Sequence, residues 1–524
     1  MKKLLIITLL AALAFNAYAQ EEKEIKKGWS LGLLPTATWS VDNGFQAGAF
    51  GDVYYYGDGS TYPDPLHKIS WEASYFTKSQ RQRYYLAYDS KYLIPNMRVN
   101  ASLTYMNDPL YTFWGFNGPA SVQDYYLWGN RYTTPNLNYY GMSRQMFRAL
   151  ANVQGRIVDH LNWAAGINFW NWTLGDMRDT GVIMDGKHKL PRSDKNYEAN
   201  YDQYATYYDT DVTLFKKYQE LGAIKAGEEQ GGISVELNAG LVYDTRDIEA
   251  APNSGIWAEA YLNGAPYAGN PSTGFNSPYL KACVYFRNYI RIPVHLFKAG
   301  DPVFAYRLAW QQTIAGETPF YMIQNIPLLV QRNMISEGFG SNGTIRGLRE
   351  NRILAEGMAW ANTELRVKLV NFKLFNQYFY LALNPFFDAG VITAFYREDA
   401  FKDVEYDTRL ITDIDYTGYT DYLNSPNKLS VYKSGDNKGN YKPKSEKDIA
   451  ADQNTLKDFQ ALHNASYDGK IYDASHKKDV VYSAGIGLKL AMNQNFIISA
   501  EYAHCFTPGL NADPWIGIGI NYQF

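Results

Sequence analysis

Stretches of about ten residues along this chain alternate apolar and polar side chains one by one, the period of a β-strand with one oily face and one wet face. In MRVNASLTYM, Val99, Ala101, Leu103 and Tyr105 share a face, and Arg98, Asn100, Ser102 and Thr104 take the other. In ISVELNAGLVYD, Ile233, Val235, Leu237, Ala239, Leu241 and Tyr243 oppose Ser234, Glu236, Asn238 and Gly240. The final segment, WIGIGINYQF, sets Ile516, Ile518, Ile520, Tyr522 and Phe524 against Gly517, Gly519, Asn521 and Gln523. In a water-soluble protein the apolar face of such a strand points to a core. In a membrane-spanning barrel it points to lipid and the polar face to the lumen.

The N-terminus decides between the two. In MKKLLIITLLAALAFNAYAQ, Lys2 and Lys3 form a basic start, Leu4 to Leu13 an apolar core, and Ala17-Tyr18-Ala19 a small-x-small cleavage signal. The apolar run is shorter than the ~20 residues that a spanning helix needs. Residues 1–19 are therefore expected to be a removed signal peptide, with the mature chain starting at Gln20 outside the bacterial cytoplasm. No cysteine follows the cleavage site, so a lipoprotein signal is not expected. No later apolar run has the length of a transmembrane helix. An exported chain of this kind still crosses a membrane as a closed β-barrel, in which every backbone group is paired between strands. The 45 tyrosines and 12 tryptophans suit a membrane–water boundary, since each has an apolar ring and a polar tip.

Alternation predicts sixteen strands, an even number as bacterial barrels have. Their spans are 28–39, 43–56, 67–77, 81–93, 96–106, 144–157, 160–174 and 232–244 in the first half. In the second half they are 255–266, 279–294, 302–315, 357–370, 377–391, 479–492, 495–506 and 514–524. Every second connection is short, among them IPN, DH, TRDIEAAPNS, FKAGDP and NQ, whereas 107–143, 175–231, 316–356 and 392–478 all fall on the other side. That segregation fits a chain with both termini in the periplasm and long loops outside the cell. Residues 20–27 are read as a short periplasmic tail and 28–524 as the barrel, held in outer-membrane lipid. The 392–478 loop, rich in Asp, Lys, Asn and Tyr, is expected to be a solvated excursion. Its acidic cluster (Asp413, Asp415, Asp421) and an earlier one (Asp209, Asp211) lack the spacing of a calcium loop, so no metal is assigned.

Several functions are excluded by what the residues do not offer. A net charge of −3 gives no basic face for nucleic acid. Cys283 and Cys505 stand far apart and imply no disulfide framework. None of the seven histidines lies beside a marked nucleophile, and neither G-x-S-x-G nor H-E-x-x-H occurs, so neither enzyme activity nor a cofactor is expected.

One stretch resists reading as strand or solvated loop. GTIRGLRENRILAEGMAWANTELRVKL wraps Arg346 in glycines and apolar residues, then continues as a strand with Trp360, Asn362, Glu364, Arg366 and Lys368 inward. The next strand turns Tyr380, Asn384, Phe386 and Asp388 inward. A barrel of this size has room for a loop inside it. Arg346 then hangs above two carboxylates, Glu364 and Asp388, and a planar guanidinium pairs bidentately with such groups. Gly343 and Gly347 let the backbone turn beside it.

These residues carry a resemblance. GTIRGL (Gly343, Ile345, Arg346, Gly347, Leu348) resembles the V/I-R-G-F/Y/L lumen-loop motif of the BamA/TamA-like outer-membrane assembly factors, the bacterial surface antigen family. ANTELRVKL resembles the E-x-R strand and NPFFDAG the F-x-D-x-G strand that follow it. VYDTRDIEAAPNSG resembles the family's strand-turn motif, here Asp244, Arg246, Asp247 and Gly255. The terminal Phe524 is similar to the aromatic end residue of bacterial barrels. The match covers roughly 230–524, with a fainter echo in FWGFNG.

The resemblance implies a sixteen-stranded barrel with an openable seam between its first and last strands, which inserts barrels into the outer membrane or exports a passenger chain. It also implies Glu364 and Asp388 as partners of Arg346. Family members usually carry periplasmic POTRA modules, and EEKEIKKG is too short for one. A POTRA-less member would work with a separate periplasmic or lipoprotein partner and with a client barrel or exported protein. The alternative is a passive or plugged barrel, a pore or scaffold for its loops, that has lost assembly activity.

Overall fold

The computed structural model describes residues 25–62, 64–123, 139–176, 182–185, 188–191, 213–248, 251–294, 299–326, 338–340, 343–374, 377–403, 406–407, 429–431, 441–443, 445–451, 453–454, 457, 469–492, 496–510 and 514–520. The expected signal peptide, both acidic clusters and Phe524 lie outside these residues. Sixteen antiparallel strands close into a barrel. In chain order they are β1 (Trp29–Ser40), β2 (Gly44–Tyr55), β3 (His67–Phe76), β4 (Gln82–Ile94), β5 (Met97–Thr112), β6 (Gly141–Val158), β7 (Leu161–Gly175) and β8 (Gly231–Asp244). There follow β9 (Gly255–Asn270), β10 (Tyr279–Arg291), β11 (Val303–Gly316), β12 (Gly357–Leu374), β13 (Gln377–Ala394), β14 (Val481–Met492), β15 (Phe496–Cys505) and β16 (Trp515–Ile520). All sixteen expected strands are present, with β5 and β6 extending further toward the loop that joins them than alternation predicts.

Burial runs the opposite way from a soluble fold. On β8, Leu237 is 54% exposed while its neighbours Glu236 and Asn238 are 4% and 5% exposed. Leu86, Leu103, Leu262 and Leu308 likewise face outward, and Arg148, Asn263, Lys281 and Glu364 are buried inward. An apolar outside around a polar inside is the pattern of a barrel solvated by lipid.

Each strand pairs along most of its length with its neighbours except at one place. The β1–β2 ladder runs from Trp29–Tyr55 to Ser40–Gly44. Between β1 and β16 the ladder comprises Trp39–Ile518 and Ser40–Gly517, and beyond it Val41 N donates to Ile516 O at 3.3 Å. The same register would set Gly519 opposite Thr38 and Ile520 opposite Ala37. Those two residues stay paired to Ser499 and Ile498 of β15 without joining β1. Further along β1, the same register sets residues 33–36 opposite 521–524, which lie outside the described residues.

The described parts of the long connections gather at one rim, and several of them are less solvated than their composition implies. Their aromatic residues meet in a dome. Phe116 and Tyr396 stand edge to face at 4.7 Å, Phe113 and Tyr218 at 5.3 Å, and Phe401 and Tyr472 stack at 4.4 Å. Tyr396, Phe401, Ile471 and Tyr472 are buried, so a few rings at the described ends of the 392–478 loop join the core, while its described stretch 445–451 is largely exposed, as a solvated excursion is expected to be. Averaged polarity hid a few large rings, each of which removes enough apolar area from water to hold a loop down. For the same reason the tyrosines are not all boundary residues, since Tyr139, Tyr218, Tyr321 and Tyr472 fill the dome. Buried Glu228 ties three loops together, accepting from Lys225 N at 2.7 Å, Phe320 N at 2.8 Å and the Arg397 guanidinium.

Candidate functional site

The connection between β11 and β12 folds back into the lumen, and its glycines show how. Gly347 has φ 92°, a left-handed conformation, and a Cβ there would approach Ser483 Cβ at 3.0 Å and the backbone of His504 at 3.2 Å. The loop therefore lies directly against β14 and β15. Ile345 and Leu348 are fully buried, and Ile345 with Phe339 occupies the space over Gly390 that a larger residue would fill. Arg307 donates to the carbonyls of Gly343 and Thr344 at 3.0 and 3.4 Å, and Asn362 donates to Thr344 O at 2.6 Å. The start of the loop is thus fixed by β11 and β12.

Arg346 sits at the centre. Its Nε and Nη2 donate to the two oxygens of Asp388 at 2.8 Å each, and its backbone N–H donates to Asp388 Oδ2 at 3.0 Å. Nη1 donates to Glu364 Oε2 at 2.8 Å. The guanidinium carbon stands 3.6 Å from the ring centre of Phe386, a close cation–π contact. Asp388 is 0% and Glu364 1% exposed, so none of these charges is shared with bulk water.

The cluster extends beyond the residues that the sequence singled out. Glu364 Oε1 accepts from Asn384 at 2.8 Å, Arg366 at 3.0 Å and Lys489 at 3.2 Å. Lys489 stands 3.7 Å and Arg346 4.0 Å from buried Glu501. Three cations, Arg346, Arg366 and Lys489, thus face three carboxylates, Glu364, Asp388 and Glu501. Such balance is what permits ionised groups in a water-poor interior. Lys489 and Glu501 were not assigned from sequence. The parity that set Glu364 inward on its strand would have set them inward on β14 and β15, where KLAM and SAEYAH show isolated charges among apolar neighbours.

The strand-turn motif lies at the opposite rim. Arg246 donates to both oxygens of Asp244, at 2.9 and 3.0 Å, and stacks 4.1 Å from the Trp257 ring. Asp247 accepts the backbone N–H groups of Ile248, Asn253 and Ser254 at 2.9, 2.9 and 3.2 Å. Burial alone would raise its carboxyl, but these hydrogen bonds hold it below the ordinary carboxylate range. Gly255, at φ 104°, closes the turn where a Cβ would meet Thr245 O at 2.3 Å. These residues do not touch Arg346. The turn folds into the lumen, where Ala251 packs with Ala491 and Ile497. Arg366 donates to Pro252 O at 3.4 Å and Lys368 to Asn253 Oδ1 at 3.3 Å. Arg366 therefore stands between the turn and the carboxylate that Arg346 uses.

The far end of the lumen loop grips the mouth. Glu350 accepts from Arg81 at 2.8 Å and Asn43 at 2.6 Å. Burial would raise its carboxyl, and Arg81 overrides that, keeping it below the ordinary range. Arg352 donates to Ser121 O at 2.8 Å and Gly118 O at 3.4 Å, on the loop that carries FWGFNG. The lumen is thus occupied from one rim by residues 338–340 and 343–356 and from the other by the described residues of the turn after β8.

These features define an integral membrane β-barrel with a lumen loop pinned by a buried arginine. No family model and no curated protein sequence matches the chain. Among solved structures it is similar to BamA from Haemophilus ducreyi lacking POTRA domains 1–3, at 13% identity and TM-score 0.45, over 94% of this chain and 70% of that one. It is also similar to CdiB from Escherichia coli, at 9% identity and TM-score 0.47, over 94% of this chain and 63% of that one. CdiB from Acinetobacter baumannii aligns at 10% identity and TM-score 0.40, over 94% and 60% of the two chains.

Proposed function

We propose that the chain works in the outer membrane of a Gram-negative bacterium, with both termini periplasmic, and assists insertion or export of protein chains at the β1–β16 seam. The observation that carries this reading is the short ladder there among the described residues, Trp39–Ile518 and Ser40–Gly517, past which Gly519 pairs with β15 and not with β1. An exposed strand edge is a template for another strand, and barrels otherwise abolish such edges by closure. Occupation of the lumen from both rims supports a route at the wall rather than through the bore. Arg346, Glu364 and Asp388 serve this role as a tether that keeps the loop inside, and a separate periplasmic or lipoprotein partner supplies substrate.

A second reading, a plugged scaffold barrel without assembly activity, is favoured by the same filled lumen. The two separate on purification of a tagged form from native outer membranes in mild detergent, with a photo-crosslinker at outward-facing Leu31 on β1. Trapped unfolded barrel or passenger chains, or a stoichiometric periplasmic partner, support assembly or export. The barrel alone, with no adduct, supports the scaffold.

A further inference from the structure

The described rungs of the seam lie at the end of β1 where the lumen loop arrives, and the two are joined by one side chain. Asp42 sits in the turn between β1 and β2, next to the last paired residues. Its Oδ2 accepts from the indole Nε1 of Trp515, the first residue of β16, at 3.3 Å. The same oxygen accepts from the backbone N–H of Glu350 in the lumen loop at 3.3 Å, and Oδ1 stands 3.6 Å from the Arg349 guanidinium. Asp42 thus holds both strands' ends of the seam and the loop at once. Trp515 packs against Phe386, the ring that carries the Arg346 guanidinium, so the tether and the seam also share a core.

We propose that Asp42 is a latch: the lumen loop, held in place through Arg346, clamps the closed end of the β1–β16 seam by way of Asp42 and Trp515. Among the described residues two ladder rungs and one further backbone bond join the strands, and the Trp515–Asp42 hydrogen bond adds a cross-seam contact whose acceptor the loop holds in place through Glu350 N and Arg349. Displacing the loop frees Glu350 N and Arg349 from Asp42, and the remaining rungs then separate. By linkage, opening the seam loosens the loop to the same degree. The latch rests on the seam reading above, in that it assigns what holds that seam shut.

The test uses the full chain in its membrane and needs no client. Trp39→Cys with Ile518→Cys places thiols on the paired, outward-facing seam residues, and Val53→Cys with Ile69→Cys gives a control pair on the continuous β2–β3 ladder. The native cysteines are both buried. In a thiol redox buffer, Asp42→Ala and Trp515→Phe are each expected to lower the seam disulfide fraction several-fold and leave the control pair unchanged. Trp515→Phe keeps an aromatic side chain and removes the donor, and the unchanged control pair separates its effect from a general folding defect. An unchanged seam disulfide in both variants overturns the latch. If the oxidised seam pair nonetheless blocks trapping of client chains, the seam reading survives that failure.

Discussion

Asp388 receives three hydrogen bonds from Arg346, two from the guanidinium and one from the backbone N–H of the same residue. A single carboxylate therefore fixes both the side chain and the path of the loop that carries it. Truncating one member of a buried pair leaves the other charge uncompensated, at ~3–5 kcal/mol. Arg346→Ala is expected to lower the temperature at which the barrel unfolds and to open residues 338–350 to protease, with export of the chain unaffected. Arg346→Lys keeps the charge without the planar fork and is expected to fall between, losing about 2 kcal/mol. Heat-modifiability on gels and limited proteolysis check both. Wild-type behaviour of Arg346→Ala in both assays contradicts the tether.

The turn after β8 and the lumen loop meet at Glu364, one through Arg366 and the other through Arg346. Groups in one ionic network couple by ~0.5–3 kcal/mol. A double-mutant cycle on thermal unfolding with Arg366→Gln and Arg346→Lys, the two residues that meet at Glu364, is expected to be non-additive. Additivity means that the two plugs are independent.

A lumen occupied from both rims conducts poorly. In planar bilayers the wild-type barrel is expected to show low steady conductance, and Arg346→Ala frequent larger openings as the loop escapes. A steady large conductance from the wild type argues against a loop resident in the lumen.

Acid should weaken the grip of the loop on the mouth. The folded state holds the Glu350 carboxyl below its ordinary value of 4.5, with Arg81 overriding the opposing effect of burial. A depressed carboxyl contributes stability that is fully present above its unfolded value and is lost as pH falls through its folded value. Protease access to the loop is thus expected to stay constant from neutral pH down to about that ordinary value and to rise below it. Glu350→Gln is expected to show greater access at neutral pH and a flatter acid response. Identical profiles for the two proteins remove Glu350 from the fastening.

How much of this was legible in the sequence differs from feature to feature. The strands were legible because a lipid-facing residue and a lumen-facing residue alternate without exception on segments such as 233–243, and a one-residue slip would invert every side chain. Arg346 with Glu364 and Asp388 stood out because glycines around a cation, followed by inward carboxylates on adjacent strands, leave few other arrangements. Glu501 and Lys489 obey the same parity but lie more than a hundred residues further along the chain, where only barrel closure brings them to Arg346. The dome was not legible, since Tyr396, Phe401 and Tyr472 come from polar loops and carry no period. Nor was Asp42, whose partners Trp515 and Arg349 become neighbours only when the first strand meets the last.

Locking the seam shows whether the chain works there. Cells carrying Trp39→Cys with Ile518→Cys are compared under oxidising and reducing conditions for chains trapped by the crosslinker at Leu31. Oxidation is expected to abolish the trapped adducts and reduction to restore them, with the control pair at Val53 and Ile69 indifferent to both. Equal trapping from the locked and unlocked seam would contradict a working seam.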